Sequence, residues 1–560
     1  MPEITIDKIT RFKQGGFDYQ QRRHDEWTEN YQLYRDKVII NRLTQRQSVN
    51  VPLMKETIKT ILAKTDDAPD VTFEEKANDK QKELFLNEYW KDCYDQNKLE
   101  VKDIIDKKQV MLYGRSWKKL NIVDGRPYIE ILDPQDILVD RYTDPADIET
   151  AFCIIHQHIY RTLGDLEVNP VYNKQVIQEL KDYYASEEGL IRAAKNVQTM
   201  QDRNEKMEQM GDNTVNNPVL GETYVEITEN YVKVWDDSKK AFLIHVVTVA
   251  DERILSDRTL QDVLNINFFP FVTWADDIER TDFYSDGVAD IVRTPNKILN
   301  SWISQLVENR TMRNFGMNYY DATNSEFQPA TFQPAPFGWY PIPGDPNKLI
   351  KRVDIPDLSE SLDEMQFIIG MVERSTAATA TEKGEQTKGH ITLGEIQLMA
   401  AKANERITSI AKFYRLSWRD LGEKWVKLVL ANPDKIEAVK LYKKSYKGNF
   451  FEREVAPEDW QSEAGYSVKV TSSAEQEQEN METIQKFNAV VAQFPNNIPL
   501  KKIYHNRLLD LIKLTPEETK EVMDFEEQSQ IPAAAAPSPI DIALNEQNKA
   551  LSPQMAGMPA

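Results

Sequence analysis

The sequence predicts an α+β fold, because strand pairs occupy its first half and one very long helix occupies its second half. Strand-like runs over 116–123 and 126–132 flank Asp124-Gly125, a dipeptide that accepts the positive φ of a two-residue hairpin turn. Over 392–431, large apolar side chains recur at about 3.6-residue intervals, the period of an α-helix. A helix on the order of 55 Å long is typical of bundles, coiled coils and ring-forming proteins.

The N-terminal 285 residues combine both kinds of element. Helices are predicted over Phe17–Tyr34, from Pro52 to about Lys64, and over 74–112. Further strands are predicted over 151–160, 223–235 and 241–249. The polar and charged stretch 165–217 predicts a helical insertion that ends in a turn-rich segment.

Two helices flank a compact unit in the middle of the chain. Thr294-Pro295 predicts the start of a helix that runs to about residue 314, since proline is tolerated at the first helical position. Residues 315–357 hold seven prolines and eight aromatic residues, which predicts a small β-rich unit with its own core. The capping-box pattern Ser361-x-x-Glu364 predicts a second helix. Residues 376–390 then contain no large apolar side chain, so they are predicted to form an exposed loop.

The C-terminal part begins where Asn432-Pro433 ends the long helix. Strands are predicted over 436–471, with a hairpin around Lys447-Gly448-Asn449, and helices over 474–494 and 500–513. A last acidic helix is predicted from Thr515, and the Ala/Pro/Ser/Met-rich tail from Gln530 is predicted to be disordered.

Composition narrows the functional classes. The 560 residues carry 69 Lys plus Arg and 90 Asp plus Glu, a formal charge of −21, which argues against a protein that grips nucleic acid over a broad basic surface. An acidic wall is still compatible with DNA that slides past it. No apolar run is long enough for a membrane span, and the first residues do not form a signal peptide. With only two cysteines, a disulfide scaffold is excluded and a reducing compartment is indicated.

The sequence offers little catalytic or metal-binding material. His156 and His158 alternate on a predicted strand and would share a face, but no third ligand is suggested nearby. Gly384 and Gly389 have the spacing of a phosphate-binding loop without the following Lys-Ser/Thr. We therefore predict no catalytic residue, no metal and no cofactor.

The order of these elements resembles the portal proteins, the head-to-tail connectors of tailed double-stranded DNA bacteriophages. Local segments add to the resemblance: Asn50-Val51-Pro52-Leu53 before a helix, the corner Asp133–Asp140, Phe269-Pro270-Phe271, and Tyr284–Asn300 at the entry to the first central helix. The resemblance spans roughly residues 20 to 525, and its weight comes from the order of the segments.

The resemblance implies a portal-like ring subunit with a mixed α/β wing, a helical stem, a small β-rich clip, a long wing-crossing helix and a helical crown. The expected divisions are wing 1–285 with the insertion 165–217, stem helix 286–314, clip 315–357, stem helix 358–377, tunnel loop 378–391, long wing helix 392–431, wing strands 432–473, crown 474–528 and disordered tail 529–560.

The resemblance also implies function. Such proteins typically form rings of twelve subunits. The resemblance therefore implies a homo-oligomeric ring of twelve copies, with a channel at one capsid vertex for double-stranded DNA. It also implies docking of the terminase large subunit and then of head–tail adaptor or tail proteins, and contacts with major capsid and scaffolding proteins. A virion location, assembly in the host cytoplasm and no membrane follow. Expected channel residues are Lys383 and Lys388 in the tunnel loop and Arg310 and Arg313 in the stem; expected docking residues on the clip are Lys348, Lys351, Arg352 and Trp339. The alternatives are a metal-dependent enzyme acting on nucleic acid and a non-channel head–tail adaptor.

Overall fold

The structure is a computed structural model that describes residues 4–36, 49–65, 69–210, 221–315, 318–320, 350–352, 361–376, 393–444 and 450–472. The chain forms two units, Met1–Ser473 and Ala474–Ala560, and every described residue belongs to the first. The predicted tunnel loop, crown and C-terminal tail therefore lie outside the described residues, as does most of the predicted clip.

Helices and strands are mixed along the first unit, which confirms the predicted α+β class. The helices are α1 (Ile6–Tyr34), α2 (Leu53–Lys64), α3 (Lys80–Gln96), α4 (Leu99–Tyr113), α5 (Leu163–Val168), α6 (Lys174–Tyr184), α7 (Glu187–Met210), α8 (Leu260–Leu264), α9 (Val288–Phe315), α10 (Ser361–Thr376), α11 (Leu393–Ala431) and α12 (Pro457–Trp460). The strands are β1 (Pro69–Glu75), β2 (Ser116–Val123), β3 (Arg126–Leu132), β4 (Ile137–Val139), β5 (Cys153–Thr162), β6 (Tyr224–Asp236), β7 (Ala241–Ala250), β8 (Arg253–Thr259), β9 (Phe271–Trp274), β10 (Asn318–Tyr320), β11 (Ile350–Arg352), β12 (Val439–Lys444), β13 (Phe450–Val455) and β14 (Tyr466–Ser472).

A five-stranded antiparallel sheet, in the order β4-β5-β6-β7-β8, is covered on both faces. Because side chains alternate along a strand, β6 sends Val232 and Val234 to a cluster with the N-terminal part of α1. It sends Val225 and Ile227 to a second cluster with α5 and α6. Three helices, α5, α6 and α7, cover most of the predicted helical insertion 165–217 up to Met210, with breaks at 169–173 and 185–186, and residues 211–217 lie outside the described residues.

A smaller three-stranded sheet, β3-β2-β9, contains the predicted Asp124-Gly125 hairpin, with both residues at positive φ. Nearby, β1 pairs with β14, so that Val71 lies opposite Val470 from the far end of the unit. The prediction of one helix over 74–112 was wrong. Residues 69–75 form a strand because Val71 and Phe73 alternate into the core, and the helical part is broken after Gln96, where Lys98 has a positive φ.

The long helix α11 spans 39 residues, about 58 Å, and confirms the strongest prediction from periodicity. Within 410–431, the predicted stripe is buried at Tyr414, Trp418, Leu421, Trp425 and Leu428. The ring of Trp425 contacts the rings of Phe73, Tyr89 and Trp90. In the described part of the chain, no helix combines the length and the apolar character needed to cross a bilayer.

Two predicted helix starts were wrong. Helix α1 begins at Ile6 and not at Phe17, because its first turns bury Ile9 against the five-stranded sheet. Helix α9 begins at Val288, so Pro295 lies inside it and not at its start. The first two turns form nevertheless, since Val288, Ala289 and Val292 are buried against the core.

Candidate functional site

The central feature is the antiparallel pair formed by α9 and α10, which the sequence predicts as two stem helices. The N-terminal half of α9 is embedded in the main core through Val288, Ala289, Val292 and Leu299. Helix α10 joins the same core through Met365 and Val372. Within the described residues, the predicted clip between these helices is represented by the short antiparallel pair of β10 and β11, in which Tyr319 lies opposite Lys351.

The N-terminal end of α9, residues 287–293, which we call its root, packs tightly against the C-terminal end of α4. A side chain on Gly287 would place its Cβ 2.7 Å from the carbonyl oxygens of Val110 and Met111. Gly114 ends α4 with φ of +77° and closes against the backbone of Ser285. Both positions require glycine, one for space and the other for its backbone conformation.

A charged network fixes the same root to α1. Arg23 lies 3.1 Å from Asp290, 2.8 Å from Asp286 and 2.7 Å from Glu26. Arg293 lies 2.7 Å from Asp290. Burial opposes the charge on Arg23, but the three carboxylates outweigh it and raise the pKa of its guanidinium above the usual value. Asp290 also accepts the backbone N–H of Gly287, as in a capping box.

The segment that precedes α2, together with the first turn of α2, runs along one face of α9. The backbone N–H groups of Val49, Val51 and Met54 donate to Ser304, Asn300 and Asn296 at 2.9, 2.8 and 3.2 Å. The three acceptors are spaced by four residues, so they form one row on the helix. Sequence reasoning missed this row, since it found Asn50-Val51-Pro52 and Asn296…Asn300 separately but had no reason to bring them together.

The described part of α11 is held to the body by polar contacts as well as by its apolar stripe. The Tyr414 hydroxyl donates to Asp103 at 2.5 Å. The Lys424 ammonium donates to Glu149 at 2.5 Å and to the carbonyls of Phe269 and Phe271 at 2.9 and 2.8 Å. Burial lowers the pKa of Lys424, and Glu149 opposes this shift. The helix that follows the predicted tunnel loop is therefore rigidly seated over its C-terminal half.

The structure places two of the four predicted channel residues. Arg310 and Arg313 are exposed on the last two turns of α9, away from its buried root. Lys383 and Lys388 lie outside the described residues. Of the predicted docking residues, Lys351 and Arg352 are in β11, where only the backbone is described, and Lys348 and Trp339 lie outside the described residues.

The prediction that His156 and His158 share one face was wrong. A bulge between His156 and Ile159 inserts an extra residue in β5, and His158 has a φ of +59°. His156 is buried beside Lys119, and burial followed by this cation lowers the pKa of the imidazole to about 3. His158 instead contacts Asp136 at 2.9 Å. Among the described residues, no three His, Cys, Asp or Glu side chains are arranged to hold a metal ion.

Comparison with known protein families identifies the class. Residues 29–552 match the family model described as the phage SU10 portal protein. With its α+β body and anchored helix pair, the chain is a bacteriophage portal protein, a structural component of the virion. It belongs to the phage SU10 portal protein family. A search of curated proteins gave no match.

Proposed function

We propose that copies of this chain assemble into a ring at one capsid vertex and that double-stranded DNA passes through its channel during packaging and ejection. The observation that carries the proposal is the family match over residues 29–552. Support comes from α9 and α10, which are anchored at one end by glycines, ion pairs and a row of hydrogen bonds. Such a root can hold a stem in a fixed direction relative to the body.

The proposed assignment of domains and partners follows the family resemblance. Residues 1–285 and 432–473 form the wing, and the helix 392–431 crosses it. The stem consists of 286–314 and 358–377, and the clip between them is 315–357. The tunnel loop is 378–391, and the crown is 474–528. The ring has about twelve copies and docks the terminase large subunit first. Head–tail adaptor or tail proteins then bind the clip near Lys348, Lys351, Arg352 and Trp339. Assembly takes place in the host cytoplasm, with scaffolding and major capsid proteins as further partners.

The net negative charge of the chain supports the proposed role as a DNA channel. A formal charge of −21 repels phosphates and keeps DNA from sticking to the wall. A few cations are then sufficient to guide the duplex, and the candidates are Lys383 and Lys388 with Arg310 and Arg313. The exposed positions of the two arginines on α9 are compatible with this role.

Purified protein is expected to form rings with a central opening. Their mass should be close to twelve times the chain mass of 64.9 kDa, as measured by native mass spectrometry and projection imaging. A compact monomer at micromolar concentration, with no opening in any image, would contradict the proposal.

Replacing Lys383 and Lys388 by glutamate is expected to leave ring assembly intact and to lower DNA packaging by roughly 30-fold, since two reversed charges in a narrow channel each cost on the order of 1 kcal/mol. The readout is packaged DNA per particle. The matched control reverses Lys239 and Lys240, two exposed lysines in the turn between β6 and β7. Normal packaging by the loop variant would remove the loop from the mechanism.

A further inference from the structure

The last helix of the insertion, α7, docks on the five-stranded sheet through polar side chains. The residues that face the sheet recur every three or four positions, and they are Arg192, Asn196, Thr199 and Arg203. The Arg192 guanidinium lies 3.3 Å from the carboxylate of Glu226 and 3.5 Å from that of Asp251. The Asn196 amide donates to the carbonyl of Tyr224 at 2.9 Å. Ion pairs and hydrogen bonds therefore supply much of the attachment of this helix.

The preceding helix of the same insertion, α6, docks in the opposite way. It buries Ile177, Leu180 and Tyr184 in an apolar cluster with the sheet. On α7, among the described side chains 187–205, Met200 is the only large apolar one that is buried. Because a helix owes most of its stability to the apolar face that it packs against a core, α7 is held less firmly than α6.

One flank of α7 is separated from the first helix of the chain. A cleft of about 700 Å³ lies between them, with Ile9 and Lys13 of α1 on one side and Ile191 and Lys195 of α7 on the other. Over this stretch α1 does not pack against α7. The attachment of α7 therefore depends on the sheet and on α6.

The C-terminal part of α7 is fixed at the bulge of β5. Arg203 forms an ion pair with Asp136, and its guanidinium lies 3.3 Å from the Nδ1 atom of His158. The same ring atom lies 2.9 Å from the Asp136 carboxylate. The other charged or titratable groups around this imidazole come from β6, α1, the corner before β4 and β5 itself, and they are Glu226, Lys13, Asp133 and His156.

Docking of α7 affects the protonation of this imidazole. Burial lowers the pKa of His158 below its usual value, and the cation of Lys13 acts in the same direction, while Glu226 and Asp133 oppose the shift. Departure of α7 would take Arg203 away and admit water to the ring, and both changes raise the pKa of the imidazole. Since the released state binds the proton more readily, a fall in pH favours release, by up to about tenfold per pH unit for one proton.

We propose that α7 is a releasable strap, which detaches from the five-stranded sheet in salt or in acid while α6 and the sheet stay folded. Release would uncover the carboxylates of Asp136, Glu226 and Asp251 as an acidic surface. The inference does not depend on the proposed ring, because every contact that it uses lies within one chain.

Hydrogen–deuterium exchange of the full chain tests the strap. Raising sodium chloride to about 1 M should lower amide protection in α7 by roughly tenfold, since its partly exposed ion pairs are then screened. Protection in α6 should not change. Arg203→Gln is expected to have a similar effect on α7 already at low salt, whereas the matched control Lys195→Gln, at an exposed position of the same helix, should have none. Equal losses in α6 and α7, or an α7 that responds to neither change, would overturn the proposal.

A second measurement isolates His158. From about pH 7.5 to about pH 5.5, a range that spans the ordinary imidazole pKa, protection of α7 should fall by roughly threefold to tenfold after correction for the intrinsic exchange rate. His158→Asn removes the titrating ring and keeps a residue that accepts the positive φ at this position. This variant should lose the pH response and retain the salt response. A pH response that persists in it would overturn release by protonation of this imidazole.

Discussion

Replacing Asp106 by alanine is expected to lower the free energy of unfolding by about 3–5 kcal/mol, the usual cost of leaving a buried charge without its partner. Asp106 is fully buried and accepts from Lys118 at 2.6 Å, from the Ser116 hydroxyl at 2.6 Å and from the Trp274 indole at 2.9 Å. Alanine would leave the Lys118 ammonium in the core together with an unsatisfied Trp274 indole N–H, whereas the Ser116 hydroxyl can still donate to Gln109 at 2.9 Å.

The control removes both charges. The double variant Asp106→Leu with Lys118→Met replaces the pair by apolar side chains of similar size, so it should recover most of the lost stability. Urea unfolding followed by tryptophan fluorescence measures both variants, because Trp274 and Trp418 lie next to Lys118. If the double variant is as unstable as the single variant, uncompensated charge is not the reason for the loss.

Local patterns made part of this fold predictable. The Asp124-Gly125 hairpin depends on two residues and their immediate flanks, and α11 depends on a repeat that persists for ten turns. In both cases the information is contained in a short window, so sequence periodicity was sufficient.

Features that join distant segments were not predictable from one sequence. The pairing of Val71 with Val470 and the contact between Asp106 and Lys118 have no local signature, since each depends on how other elements pack. The bulge that gives His156 and His158 different partners is also set by the neighbouring strand, which advances two residues while β5 advances three. Strict alternation gave the wrong answer there because it assumes regular pairing.

The candidate site likewise combines features that the sequence predicts locally with contacts between distant segments that it does not predict. The two helices of the proposed stem, α9 and α10, and the exposed arginines on α9 follow from periodicity and charge. Their anchorage does not, because it uses Arg23 from the first helix and the backbone of Val49–Met54, more than 230 residues before the α9 residues that they contact. The contacts that fix the direction of these two helices are therefore the part that the sequence left undetermined.

Replacing Asp290 by asparagine is expected to cost about 3 kcal/mol and to impair ring formation, because it loosens the root of α9. The Asp290 side chain is 5% exposed and compensates two arginines from different helices, Arg23 and Arg293. Asparagine keeps the size and can still accept the N–H of Gly287, so the helix start is preserved while the charge is lost. Unfolding midpoint and the fraction of chains in rings are the two measurements.

Asp286 provides the matched control, since it contacts the same Arg23 at 2.8 Å but is 61% exposed. Solvent screens this pair, so Asp286→Asn is expected to cost less than about 1 kcal/mol and to assemble normally. Equal losses in the two variants would show that Arg23 needs any carboxylate nearby and not one at the base of the stem. A large loss of rings in Asp290→Asn with little change in the unfolding midpoint would show instead that the network fixes the direction of the stem more than it stabilises the wing.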